Sequence, residues 1–146
     1  MDNTQRQALY RAILHRANLA GTFTAENGIV ITAVGDGWAE GELIAAAQHM
    51  NPMGIVHGGC LCAMMDQVSG AAACTRGSAC LTINCDIRYL APGGAGRLLA
   101  RAEAIHMGRS TAVFRCTVTD GAGKLCADGT YTFRLKERAH PTEIEA

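Results

Sequence analysis

The stretch from Asn51 to Asp66, NPMGIVHGGCLCAMMD, holds the residue types and spacing best suited to chemistry. His57-Gly58-Gly59 falls where the turn-forming Asn51-Pro52-Met53-Gly54 loop gives way to a run rich in Ala, Met and Leu, so the glycines open a predicted helix. The first N–H groups of a helix have no partner inside it, and glycine lets another molecule approach them. Such a terminus stabilises negative charge developing on an oxygen. Asp66 follows Gly59 by nearly two turns at about 3.6 residues per turn, on the same helix face, so donor and carboxylate are expected to address one substrate. A carboxylate inside an apolar helix costs on the order of several kcal/mol if it stays charged and unpaired. Its bland role would be to satisfy Gln67, Ser69 or a strand hydroxyl; the glycine pair upstream favours the chemical role.

The elements that must position these residues are legible in the periodicities. The helix spans about Gly58 to Cys74 and is apolar on nearly every side, so it must be buried and something must wrap it. Residues 4 to 18 place Leu9, Ala12, Ile13 and Ala17 at helical spacing, an amphipathic helix expected to pack across another element. Gly28 to Val34 and Trp38 to Gln48 flank the turn Gly35-Asp36-Gly37 as a hairpin. From Leu81, the residues Ile83, Cys85, Ile87 and Tyr89 alternate with Thr82, Asn84, Asp86 and Arg88 as a period-2 strand that stops at Ala91-Pro92-Gly93-Gly94. Arg97 to Met107, Thr111 to Asp120 and Lys124 to Lys136 follow, joined by links short enough for an antiparallel meander. The polar tail from about Glu137, with Pro141, is expected to fray. The expected architecture is α+β, one domain over residues 1–146 with five or six antiparallel strands curved around one helix.

Composition narrows the function classes. Thirteen Lys+Arg balance thirteen Asp+Glu, so no basic field gathers a long polyanion, and nucleic acid is not an expected partner. The apolar run Cys60 to Met65 falls far short of a membrane span, and the first sixteen residues lack the apolar core of a signal peptide. A cytoplasmic protein with reduced thiols is expected. The seven cysteines include no Cys-x-x-Cys pair and no His cluster at zinc spacing, so no metal or other cofactor is expected. Cys60 and Cys62 read as small core residues, and Met64 and Met65 beside Ala71-Ala72-Ala73 as core or as the lining of a flexible acyl pocket. His15, His49, His106 and His140 suggest no constellation.

Asn51, His57-Gly58-Gly59 and Asp66, at this spacing and with His-Gly-Gly opening the central helix, resemble the hotdog-fold acyl-CoA thioesterases, specifically the branch of phenylacetate-pathway thioesterases. The order of elements is similar over about residues 20 to 136. The resemblance implies a sheet wrapped around the central helix and hydrolysis of an acyl- or aryl-acyl-CoA. It assigns Asp66 as nucleophile or as general base for a water, and Gly58, with Gly59 as the neighbouring alternative, as the backbone donor to the thioester carbonyl. Asn51 would orient the water or the carbonyl, and His57 would shape the turn. Thr82 would position water from the other subunit of a homodimer or homotetramer. The Gly108-Arg109-Ser110 turn resembles the loop near the nucleotide, where Arg109 would meet a phosphate; Arg88, Arg97 and Arg101 are further candidates. A thiolate leaves with little proton help, its parent thiol having a pKa near about 8.5, so one carboxylate and one oxyanion site suffice, without metal or Ser-His-Asp triad. Acyl-thioester hydratases and non-catalytic acyl-CoA sensors share the architecture. A hydratase would be expected to pair a His with an acid in another motif, and a sensor to carry an added DNA-binding segment, so hydrolysis is favoured.

Overall fold

The computed structural model describes residues 1–137. Helix α1 (Asn3–Ala17) begins at Asp2, whose carboxylate accepts from the Gln5 N–H while the Gln5 side chain returns a bond to the Asp2 N–H. A one-turn helix, α2 (Phe23–Glu26), follows and was not expected from the sequence. The hairpin β1 (Val30–Gly35) and β2 (Trp38–Ala45) turns through Asp36-Gly37, with Gly37 at φ +75°. The central helix α3 (Gly58–Ala73) leads to β3 (Ala79–Tyr89), and the meander β4 (Gly96–Met107), β5 (Thr111–Asp120) and β6 (Leu125–Lys136) closes the chain.

The second strand ends earlier than the alternation predicts. Residues Ala47–His49 form a 3-10 turn because His49, 5% exposed, folds its ring inward, accepting from the Ala46 N–H at Nδ1 and bonding the Asn27 carbonyl through Nε2. The expected fraying of the polar tail, and His140 with it, lie outside the described residues.

The six strands form one antiparallel sheet in the order β1-β2-β4-β5-β6-β3. Its concave face is apolar: Ala39 and Leu43, Leu98 to Ala102 at alternate positions, Phe114, Cys116 and Val118, and Tyr131 and Phe133 are all buried. Against them α3 buries Leu61, Met64, Met65, Val68 and Ala71–Ala73. The approach is closest at Gly41 on β2, where a Cβ would stand 2.7 Å from Val68 Cγ2, so glycine there sets how near helix and sheet can come. The helix is not covered all round. Asp66, Gln67 and Gly70 stay half-buried along a stripe that α1 and β3 only partly roof.

α1 packs across the β1 edge, as its amphipathic pattern implies. Ile13 is buried, and the Asn18 amide brackets the Ile31 backbone, donating to its carbonyl at 2.9 Å and accepting from its N–H at 2.8 Å. The Gln67 amide donates to the Ala17 carbonyl at 2.8 Å and ties the end of α1 to α3. Among the described residues no helix is long and apolar enough to cross a membrane.

Candidate active site

The site is built on α3 and its neighbour β3. Asp66 accepts a hydrogen bond from the Thr82 hydroxyl at Oδ1, 2.7 Å away, within the same chain. Strict alternation puts Thr82 on the face opposite Cys85 and Tyr89, yet all three face α3. A β-bulge between Thr82 and Asn84 resolves this by adding one residue and shifting the phase of the strand. Cys80, before the bulge, places its thiol 3.5 Å from the Gly70 carbonyl, while beyond it Tyr89 Oη donates to the Gly58 carbonyl at 3.0 Å. The resemblance assigns Thr82 to a site completed by another subunit; within one chain the bulge delivers its hydroxyl to Asp66.

The start of α3 separates the two glycine candidates. His57 caps the helix and its Nδ1 accepts from the Gly59 N–H at 2.8 Å, so that N–H is engaged. The Gly58 N–H has no acceptor among the described residues. Neither glycine has positive φ; their lack of a side chain matters for space, since a Cβ on Gly58 would touch the Tyr89 ring at 3.3 Å and one on Gly59 would press on His57 Nδ1 at 3.0 Å. Asn51 organises the preceding loop, its Oδ1 accepting from the N–H groups of Met53 at 2.9 Å and Ile55 at 3.3 Å.

The structure does not place donor and acid of one chain around one carbonyl. Gly58 and Asp66 stand about 12 Å apart along α3 at about 1.5 Å per residue, while a carbonyl held by an N–H and attacked directly by a carboxylate spans about 7 Å. The residues on either side of Gly58, and Asp66 itself, also line different hollows. Asp66, Gln67 and Thr82 line a cavity of about 550 Å³ with α1, Phe23 and Phe133, whereas His57 and Gly59 line one of about 220 Å³ with His49, Cys60 and Ala63. Tyr89 and the Cys62–Cys85 neighbourhood lie between.

The cysteines around the site are not ready nucleophiles. Burial pushes the thiols of Cys60 and Cys85 up, the second also through Cys62 and the negative charge of Asp66. Burial likewise pushes Tyr131 up, and its hydroxyl donates to the Cys62 carbonyl at 2.9 Å.

The remaining candidates lie elsewhere. Gly108, Arg109 and Ser110 form the β4–β5 turn, where Gly108 N–H bonds the Thr111 carbonyl and the Ser110 carbonyl accepts from Leu135. Arg109, its side chain 92% exposed, lies 4.0 Å from Glu137, and none of the three lines either cavity. Arg97 pairs with Glu42 at 2.9 Å, and Arg101 with Glu40 and Glu103 while stacking over Trp38, all on the convex face of the sheet. Arg88 stands opposite Asp128 in the β3–β6 register. Tyr89 was given no site role from the sequence, and Gln67 only that of a polar neighbour for Asp66 to satisfy; the one legible signal was a second polar residue beside Asp66 on an apolar helix.

Residues 53–127 match the family model described as the thioesterase superfamily. A putative esterase of Haemophilus influenzae is 28% identical over 130 residues, covering 78% of this chain and 94% of the relative. The acyl-coenzyme A thioesterase PaaI of Escherichia coli is 32% identical over 101 residues, 68% of this chain and 72% of PaaI. The solved structure of E. coli PaaI, from the phenylacetic acid degradation operon, superposes with a TM-score of 0.80 at 26% identity, over 88% of this chain and 96% of that one. A Streptococcus mutans protein solved bound to acetyl CoA gives a TM-score of 0.76 at 27% identity, over 84% and 98%.

Proposed function

The chain belongs to the thioesterase superfamily and has the hotdog fold, and we propose that it hydrolyses an acyl- or aryl-acyl-CoA with Asp66 as the catalytic carboxylate. The observation that carries this reading is the place of Asp66, half-buried in the wall of a cavity of about 550 Å³, with Oδ1 held by the Thr82 hydroxyl at 2.7 Å and its second carboxylate oxygen without a partner among the described residues. That oxygen either attacks the thioester carbon directly or takes a proton from a water that does so. The oxyanion is held by a backbone N–H at the start of α3, and Gly58 is the donor because His57 engages that of Gly59. Coenzyme A then leaves as a thiolate. In this reading Asn51 and His57 hold the loop that presents Gly58, and the 108–110 turn contributes nothing until coenzyme A itself is bound.

The 12 Å between Gly58 and Asp66 calls for a second copy of the chain. β3 is an edge strand with one side unpaired, and Leu81 and Ile83 on it are 57% and 60% exposed. Antiparallel pairing of two β3 edges covers these residues and sets Gly58 of one copy toward Asp66 of the other. The resulting unit is a dimer, alone or within a tetramer.

The test is thiol release from a panel of acyl-CoAs spanning aliphatic and aryl acyl groups. At least one is expected to turn over, and Asp66→Asn to lose more than about 100-fold while keeping the wild-type circular dichroism and oligomeric state. Unchanged turnover in that variant would remove Asp66 from the mechanism.

A further inference from the structure

Asp66 and Thr82 are only two of the residues that line the larger cavity. It is a chamber between α1, α3, the start of β3 and the segment around α2, lined also by Ala12, Ala17, Phe23, Ala71 and Phe133. These side chains are small or aromatic, and the volume of about 550 Å³ lies well above what an acetyl group fills and within the range of ring-sized ligands. The Gln67 bond to the Ala17 carbonyl holds α1 as a fixed wall, so the chamber has a defined shape.

Two charged residues line the chamber, Asp66 and Arg16. Asp66 belongs to the reaction. Arg16 stands on the last turn of α1, where a cation is favourable against the helix dipole whatever its other role. Arg76, Arg97, Arg101 and Arg115 each have a carboxylate within 2.9 Å, whereas Arg16, like Arg6, Arg11, Arg88 and Arg134, has no ion pair among the described residues; of these five it is Arg16 that lines the chamber. An exposed planar guanidinium lining the same chamber as Asp66, beside Thr22 and Thr24 as well as the apolar side chains, fits a carboxylate, or another anionic oxygen, on a ligand whose thioester is at Asp66.

We propose that this chamber receives the acyl group of the substrate and that Arg16 selects acyl groups carrying an anionic substituent. The inference rests on the thioesterase reading for the orientation of the ligand and goes beyond it in naming the substrate class and a specificity-determining residue.

Matched pairs test it: hexanoyl-CoA against adipoyl-CoA, and phenylacetyl-CoA against 4-carboxyphenylacetyl-CoA. In the wild type kcat/KM is expected to favour the carboxylated member of at least one pair. Arg16→Ala is expected to lower the carboxylated-to-neutral ratio about tenfold, and Arg16→Lys to restore part of it. A helix-end role alone would shift thermal stability and leave the ratio where it was. The same ratio is measured without turnover by titration calorimetry on the full chain, using analogues with a methylene inserted between sulfur and carbonyl. Ratio-dependent binding without hydrolysis would sink the hydrolytic reading and keep the anion-selecting chamber. Hydrolysis with equal ratios in wild type and Arg16→Ala would overturn the chamber's selectivity and leave hydrolysis standing.

Discussion

Thr82 and His57 each act through one hydrogen bond whose loss is measurable. The Thr82 hydroxyl restrains the carboxylate of Asp66, so Thr82→Val keeps the shape of the side chain and frees the acid to rotate. A neutral-to-charged hydrogen bond is worth about 1.5 kcal/mol, so kcat is expected to fall roughly tenfold with KM little changed. A fall in KM affinity with kcat intact would mark Thr82 as a binding residue instead. At the helix start, the His57 ring occupies the Gly59 N–H, which leaves Gly58 as the donor. The residue types here were readable from the sequence, and so was Asp66 as the candidate acid. Which glycine offers its N–H was not, because that depends on where the His57 ring turns.

Elements, rather than single residues, bring the parts together. β3 carries Thr82 to α3 only because its bulge shifts the strand by one residue, and period-2 alternation alone points Thr82 away. The same strand leaves Ile83 out on the exposed edge. Ile83→Lys is expected to split the oligomer into monomers by light scattering and to abolish turnover, while circular dichroism stays that of the wild type. A dimer that persists in this variant would move the interface elsewhere. On β2, Gly41 admits α3 to within contact of the sheet. Gly41→Ala forces a methyl against Val68, and overpacking of this kind is expected to cost about 1–3 kcal/mol, read as a lower midpoint in urea.

For the whole molecule, the core of small residues has a consequence at high pH. Cys116 lies at the centre of the concave face, and burial pushes its thiol up to about 12. In the unfolded chain the same thiol ionises near about 8.5. The folded value is the higher one, so the stabilisation is fully present below about pH 8.5 and is lost as pH rises toward 12, the unfolded state binding fewer protons in that window. Cys60, Cys85 and Cys126, also pushed up mainly by burial, add in the same direction. Thermal scans at intervals above pH 8.5 are expected to show a falling Tm. Cys116→Val is expected to flatten that fall by up to about 1.4 kcal/mol per pH unit. An identical slope in the variant would locate the alkaline sensitivity in other groups.

The sequence by itself determined the curved antiparallel sheet and the central helix, and singled out Asp66 as the candidate acid, because these follow from periodicity, glycine placement and the cost of a carboxylate among apolar neighbours. Local patterns of this kind are written into consecutive residues. The tertiary structure decided two things that no local pattern contains. It joined Thr82 to Asp66 through a bulge, and it roofed the space beside Asp66 with α1 so that Arg16 lines it. Each depends on how far apart two distant segments come to rest, and that distance is set by packing rather than by residue type.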